Sequence, residues 1–91
     1  MKYEEKFREI LEELFELWKK KQSDYGEESW LEMGLKMKFA DICRKYKRLE
    51  TLIWYDKIIQ NKQETIRHTM IDLVVYGILG VMFIDEKGLD E

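Results

Sequence analysis

Proline is absent from this 91-residue chain, so no residue in it removes a helical amide or forces a backbone break. Cysteine is nearly absent too. The single thiol, Cys43, excludes an intramolecular disulfide, which argues for a reducing, cytoplasmic setting and against a disulfide-stapled secreted fold. Its sulfur is expected to pack as a small hydrophobe rather than act as a nucleophile. A basic excess is also missing. With a net charge of -3, general nucleic-acid binding driven by phosphate attraction is not expected, although a local basic patch stays open.

No secretory leader is expected, because Met1 to Glu5 is charged rather than apolar. Long hydrophobic runs are scarce as well. The one candidate, Met70 to Ile84, is shorter than the ~20 residues a bilayer span needs and contains Asp72, so it reads as a core or interface helix and no membrane is expected. What is present, 45% hydrophobic and 38% charged residues, suits a helix-rich globular chain rather than a disordered one.

The spacing predicts one all-α domain over 1–91, built as a three-helix protomer. In the first helix, over about 3–22, Phe7, Ile10, Leu11, Leu14, Leu17 and Trp18 recur at helical intervals opposite a charged face. Ser23, Asp24, Tyr25 and Gly26 then favour a turn. Ser29 with Glu32 reads as a capping box that starts a second helix at Trp30, running to Trp54. Leu31, Leu35, Phe39, Ile42, Tyr46, Leu49 and Ile53 form its apolar stripe, at steps of 4, 4, 3, 4, 3 and 4. Periodicity fails between Trp54 and Gln63, where a second joint is expected. Asn61 ahead of Glu64 resembles a side-chain cap for a third helix over 62–84, with the charged tail 85–91 expected to fray.

Apolar residues wrap most of the way round that third helix, more than one neighbouring hairpin can cover. Gly77 and Gly80 would admit a close neighbour, at ~1 kcal/mol of helix propensity each. A homo-oligomer, a dimeric bundle joined through the third helices, answers both.

Chemistry concentrates in the same helix. Glu64, His68, Asp72 and Tyr76 follow one another in steps of four and so share one slowly drifting row. An ionised Asp72 among apolar neighbours needs a cation, a metal or several donors. Glu64, His68 and Asp72, joined by Asp41 from the second helix, offer oxygen and nitrogen ligands of the kind that suit magnesium or manganese beside nucleotide phosphates. Lys38, Asp41, Lys45 and Arg48 form a polar row that is either a solvated face or a cationic strip that faces the carboxylate seam of the third helix and holds phosphate oxygens. A structural ion pair from Asp72 to Lys45 or Arg48 is the plainer account of the same carboxylate. Glu13 and Glu16 form an acidic pair on the first helix, read as solvated surface because many glutamates line that face.

Lys21 followed by Asp24-Tyr25-Gly26, then Lys45 with Arg48, Leu49 and Leu52, then Glu64, Thr65, Asp72 and Tyr76 form an ordered set over about 20–84. In that order the set resembles the nucleotide-modification-associated helical domain of phage and some prokaryotic proteins. That domain in turn looks like a relative of the all-α MazG-type nucleoside triphosphate pyrophosphohydrolases. The resemblance implies a helical fold, a nucleotide substrate cleaved between its α- and β-phosphates, and magnesium held by helical carboxylates. His68 stands where the family often has an aspartate, and Glu64 and Asp72 are eight residues apart instead of forming the paired acidic motifs of MazG-type enzymes.

Two functions are therefore expected in competition. In the first, magnesium-dependent nucleotide-phosphate binding or hydrolysis, Asp72, Glu64, Asp41 and His68 surround the metal, Lys45 and Arg48 neutralise phosphate, and Tyr25 stacks on the base. In the second, a non-catalytic helical dimerisation or interaction protein, the polar rows are matched ion pairs. The two differ in whether those rows meet in an open cleft or pack shut.

Overall fold

The computed structural model describes residues 1–26, 28–32 and 34–89; they form four α-helices and a π-helical turn, with no strand among them. The chain divides into two compact units, Met1–Glu32 and Met33–Glu91.

The first unit holds α1 (Glu4–Tyr25) and α2 (Ser29–Glu32). Glu4 and Glu5 in the first turn of α1 suit the positive end of the helix dipole. The helix outlasts the turn signal at Ser23 and ends at Gly26, whose φ of 94° favours glycine and whose N–H donates to the Gln22 carbonyl at 2.8 Å. Ser29 is the first residue of α2 rather than a cap ahead of a long helix, and α2 is a single turn.

The second unit carries α3 (Leu35–Leu49), the π turn (Glu50–Trp54) and α4 (Lys62–Lys87), with α3 packed along α4. The expected second helix over 30–54 is thus divided. Gly34 has extended backbone, with ψ of -178°, and α3 begins only after it. Glycine is a poor helix former, and the regular side-chain spacing across it concealed the interruption. At the other end of α3 the Tyr55 N–H donates to the Glu50 carbonyl at 3.0 Å, a five-residue reach that widens the last turn.

The connector to α4 uses two left-handed residues, Asp56 and Asn61, each with φ of 53°. Asn61 occupies the expected cap position, but its side chain makes no capping bond; it serves by tolerating left-handed backbone. Lys62 reaches back to the Asp56 carboxylate across the connector, and that cation holds the Asp56 carboxyl below its ordinary value of 3.8. Asp85, Glu86 and Lys87, expected to fray, continue α4 to Gly88, where φ of 71° ends it. Asp90 and Glu91, the last of that tail, lie outside the described residues.

The face of α3 turned inward overlaps the expected stripe only in part, at the half-buried Leu35, Ile42 and Leu49. Phe39, Tyr46 and Ile53 are exposed, whereas Lys38 and Leu52 are buried and Ile42, Lys45 and Leu49 are partly so. The inward line is therefore Lys38, Ile42, Lys45, Leu49 and Leu52, rotated toward the polar row. Specific acceptors on α4 explain this. The Lys38 ammonium lies 4.9 Å from the centre of the buried Phe83 ring, and Lys45 meets Asp72.

On α4, Thr69, Ile71, Asp72, Val75 and Phe83 are buried. Thr69 satisfies its hydroxyl by donating to the Thr65 carbonyl at 2.7 Å. The charged flanks make α4 longer than its apolar run. At 26 residues it passes the length and composition test for a membrane span, with 28% of its most apolar 18-residue window buried.

Candidate functional site

The cluster that could do chemistry sits where the middle of α3 meets the first half of α4. Asp72 is driven inward by its neighbours, since Ile71 and Val75 on the same helix are buried. Its Oδ2 lies 3.2 Å from the Lys45 Nζ, which comes from the third turn of α3. The two side chains differ in exposure, 9% for Asp72 and 24% for Lys45. That difference matters because the lysine end of the pair still reaches water while the carboxylate scarcely does.

One turn back on α4, the His68 Nε2 stands 3.8 Å from the same Oδ2, a contact that is ionic only for the protonated ring. Most of the imidazole is exposed. The cluster is thus graded from the buried Asp72 through Lys45 to an outward-facing His68. Both nitrogens face the same oxygen, Lys45 within hydrogen-bond reach and His68 just beyond it.

The other expected site residues are placed differently. Asp41 is ion-paired with Arg44 on its own helix, so its carboxylate serves a local contact. Arg48 is exposed on α3. Glu64 is exposed in the first turn of α4; eight residues of α-helix put its backbone about 12 Å from that of Asp72. Tyr25 is exposed at the end of α1, in the first unit. Among the described residues no three His, Cys, Asp or Glu side chains form a group that could hold a metal. The expected four-residue metal set does not assemble as one compact donor set within this chain. Glu13, like Cys43, stays outside the cluster in sequence; Cys43 is a free, half-buried thiol on α3.

The sequence leaves Lys38 open between a solvated face and a strip turned toward the third helix; it is 4% exposed and sits over Phe83, on the inward side. The available signal was its position seven residues before Lys45, which puts both lysines on one side of α3. An open groove of about 490 Å³ lies nearby, lined by Leu35, Lys38, Phe39, Ile42 and Gly80, and shares no residue with the Lys45, His68 and Asp72 cluster.

The chain matches no family model, no curated protein and no solved structure. Its function is therefore argued from the cluster itself.

Proposed function

We propose that the chain binds a nucleotide through its phosphates at the Lys45, His68 and Asp72 cluster. The observation that carries this reading is the convergence of Lys45 and Asp72 from two helices at 3.2 Å, with His68 beside them. Lys45 and Asp72 lie in the ordered set that resembles the nucleotide-modification-associated domain, whereas His68 stands where that family often has an aspartate. Lys45 and the exposed Arg48, three residues on, are the cations that would meet phosphate oxygens.

Asp72 then has a definite role in the unliganded chain. It holds the Lys45 ammonium at the rim and offsets its charge until phosphate does so. The expectation of magnesium narrows to an ion that arrives on the nucleotide phosphates, because magnesium commonly keeps its waters and takes only one or two protein carboxylates. When bound it would neutralise phosphate charge. The hydrolytic activity implied by the resemblance is a further proposal, and the single thiol suits an intracellular setting for it.

A second reading, the non-catalytic helical interaction protein, is favoured by one feature of the same cluster. Asp72 is 7% exposed and already ion-paired, as expected of polar rows that pack shut. Lys45→Gln separates the two. Under the nucleotide reading the wild type binds nucleotide and the variant loses that binding while keeping its helical spectrum. A wild type that binds no nucleotide, with a variant that only melts earlier, would leave the interaction reading in place.

A further inference from the structure

We infer that α4 pairs with α4 of a second copy of this chain, antiparallel, along a face separate from the Lys45 and Asp72 cluster. This inference does not rest on the nucleotide reading. Met70, Val74, Ile78, Val81 and Ile84 are each more than 40% exposed. At about 100° per residue they fall, with Gly77, on one arc of roughly 120°. Met70, Gly77 and Ile84 recur every seven residues, as do Arg67, Val74 and Val81, which is the pattern of a helix-pairing seam. A Cβ added to Gly77 would meet nothing within 4 Å in the chain itself, which leaves this point of the seam open to the close approach of a second helix.

Charge selects the occupant and its direction. Arg67 lies on the seam near the start of α4, and Asp85 lies beside it near the end. Antiparallel pairing sets Val74 opposite Gly77 of the partner subunit, Met70 opposite Val81 of the partner subunit, and Arg67 next to Asp85 of the partner subunit. Parallel pairing would instead set the two Arg67 side chains together and align the helix dipoles unfavourably. A lipid bilayer fits this face poorly. The opposite side of α4 is packed on α3, and α3 would carry Lys36, Lys38, Arg44, Lys45, Lys47 and Arg48 into the hydrocarbon with it.

The test combines size with cross-linking. Sedimentation should give a dimer for the wild type, and Val74→Glu, placed on the exposed face, should give a monomer with an unchanged helical spectrum. Orientation is read in a Cys43→Ser background by mixing chains carrying Met70→Cys with chains of different mass carrying Val81→Cys. Oxidation should yield the mixed 70-to-81 disulfide. A wild-type monomer at every concentration, or flotation of the wild type with phosphatidylcholine vesicles in place of dimerisation, would overturn the inference; so would a Val74→Glu chain that stays dimeric. Homodisulfides at 70 and at 81 without the mixed product would overturn the antiparallel arrangement.

Discussion

Breaking the Lys45 to Asp72 contact from its two ends should have unequal effects. Lys45→Met leaves a carboxylate whose side chain is 9% exposed, with little water to replace the ammonium. Truncating one partner of a buried pair costs about 3–5 kcal/mol, and the lower end, ~3 kcal/mol, suits a pair at the edge of a hairpin. Asp72→Asn removes the charge but keeps the shape and an acceptor. It leaves behind a lysine whose side chain is 24% exposed and whose flexible stem can carry the ammonium to water, so ~1 kcal/mol is expected. In a domain of this size each 1 kcal/mol moves the melting temperature by about 4–8 °C. Lys45→Met should therefore melt at least ~12 °C below wild type, and Asp72→Asn only a few degrees below it. The double variant Lys45→Met, Asp72→Leu should recover most of the loss, because well-packed apolar groups often replace a buried ion pair without penalty. Thermal melts followed by circular dichroism at one protein concentration would measure all three. Equal losses from the two single variants, or a double variant as unstable as Lys45→Met, would refute the reasoning.

Gly80→Ala, on a side of α4 away from the proposed seam and with open space around its Cβ, should raise stability by ~1 kcal/mol, read as a higher urea midpoint. Phe83→Ala should cost about 3–5 kcal/mol, since the ring is 3% exposed and carries the Lys38 contact; a loss under ~1 kcal/mol would mean the ring is not part of the core. Asp56 gives the pH dependence: its folded value is lowered by Lys62, so the contribution of that pair is present above the unfolded value of 3.8 and fades as pH falls through the folded one. Carboxyl NMR titration should show the Asp56 midpoint rising in Lys62→Gln, and an unchanged midpoint would reject the pairing.

The helical class and the last helix were the legible parts of the fold, because α4 is long, apolar and bounded by charge. Its start at Lys62 was read from Asn61 for the wrong reason: the residue type that caps with its side chain also tolerates left-handed backbone. The break at Gly34 was hidden because periodicity reports side-chain spacing and not backbone continuity. Rotation of α3 was misread because hydrophobicity ranks Phe39 and Tyr46 ahead of Lys38 and Lys45. Two acceptors on α4, the Phe83 ring and the Asp72 carboxylate, turn the lysines inward instead. Of the candidate site, burial logic calls for a cation beside Asp72, with Lys45 and Arg48 both open, since a carboxylate in an apolar run must find one; it is Lys45 that meets it. The place of Asp41 was not legible, because a local partner four residues or fewer away, Arg44, competes with any distant one.

The central claim is that the Lys45, His68 and Asp72 cluster takes nucleotide phosphate. A thermal-shift titration of the full chain with nucleoside mono-, di- and triphosphates, with and without magnesium, tests it most directly. A ligand at a hundred times its dissociation constant stabilises the folded state by about 2.7 kcal/mol, and the melting temperature must rise with it. At least one nucleotide should give such a rise, lost in Lys45→Gln relative to that variant's own unliganded melting temperature. No rise with any nucleotide at millimolar concentration, or an equal rise in Lys45→Gln, would contradict it.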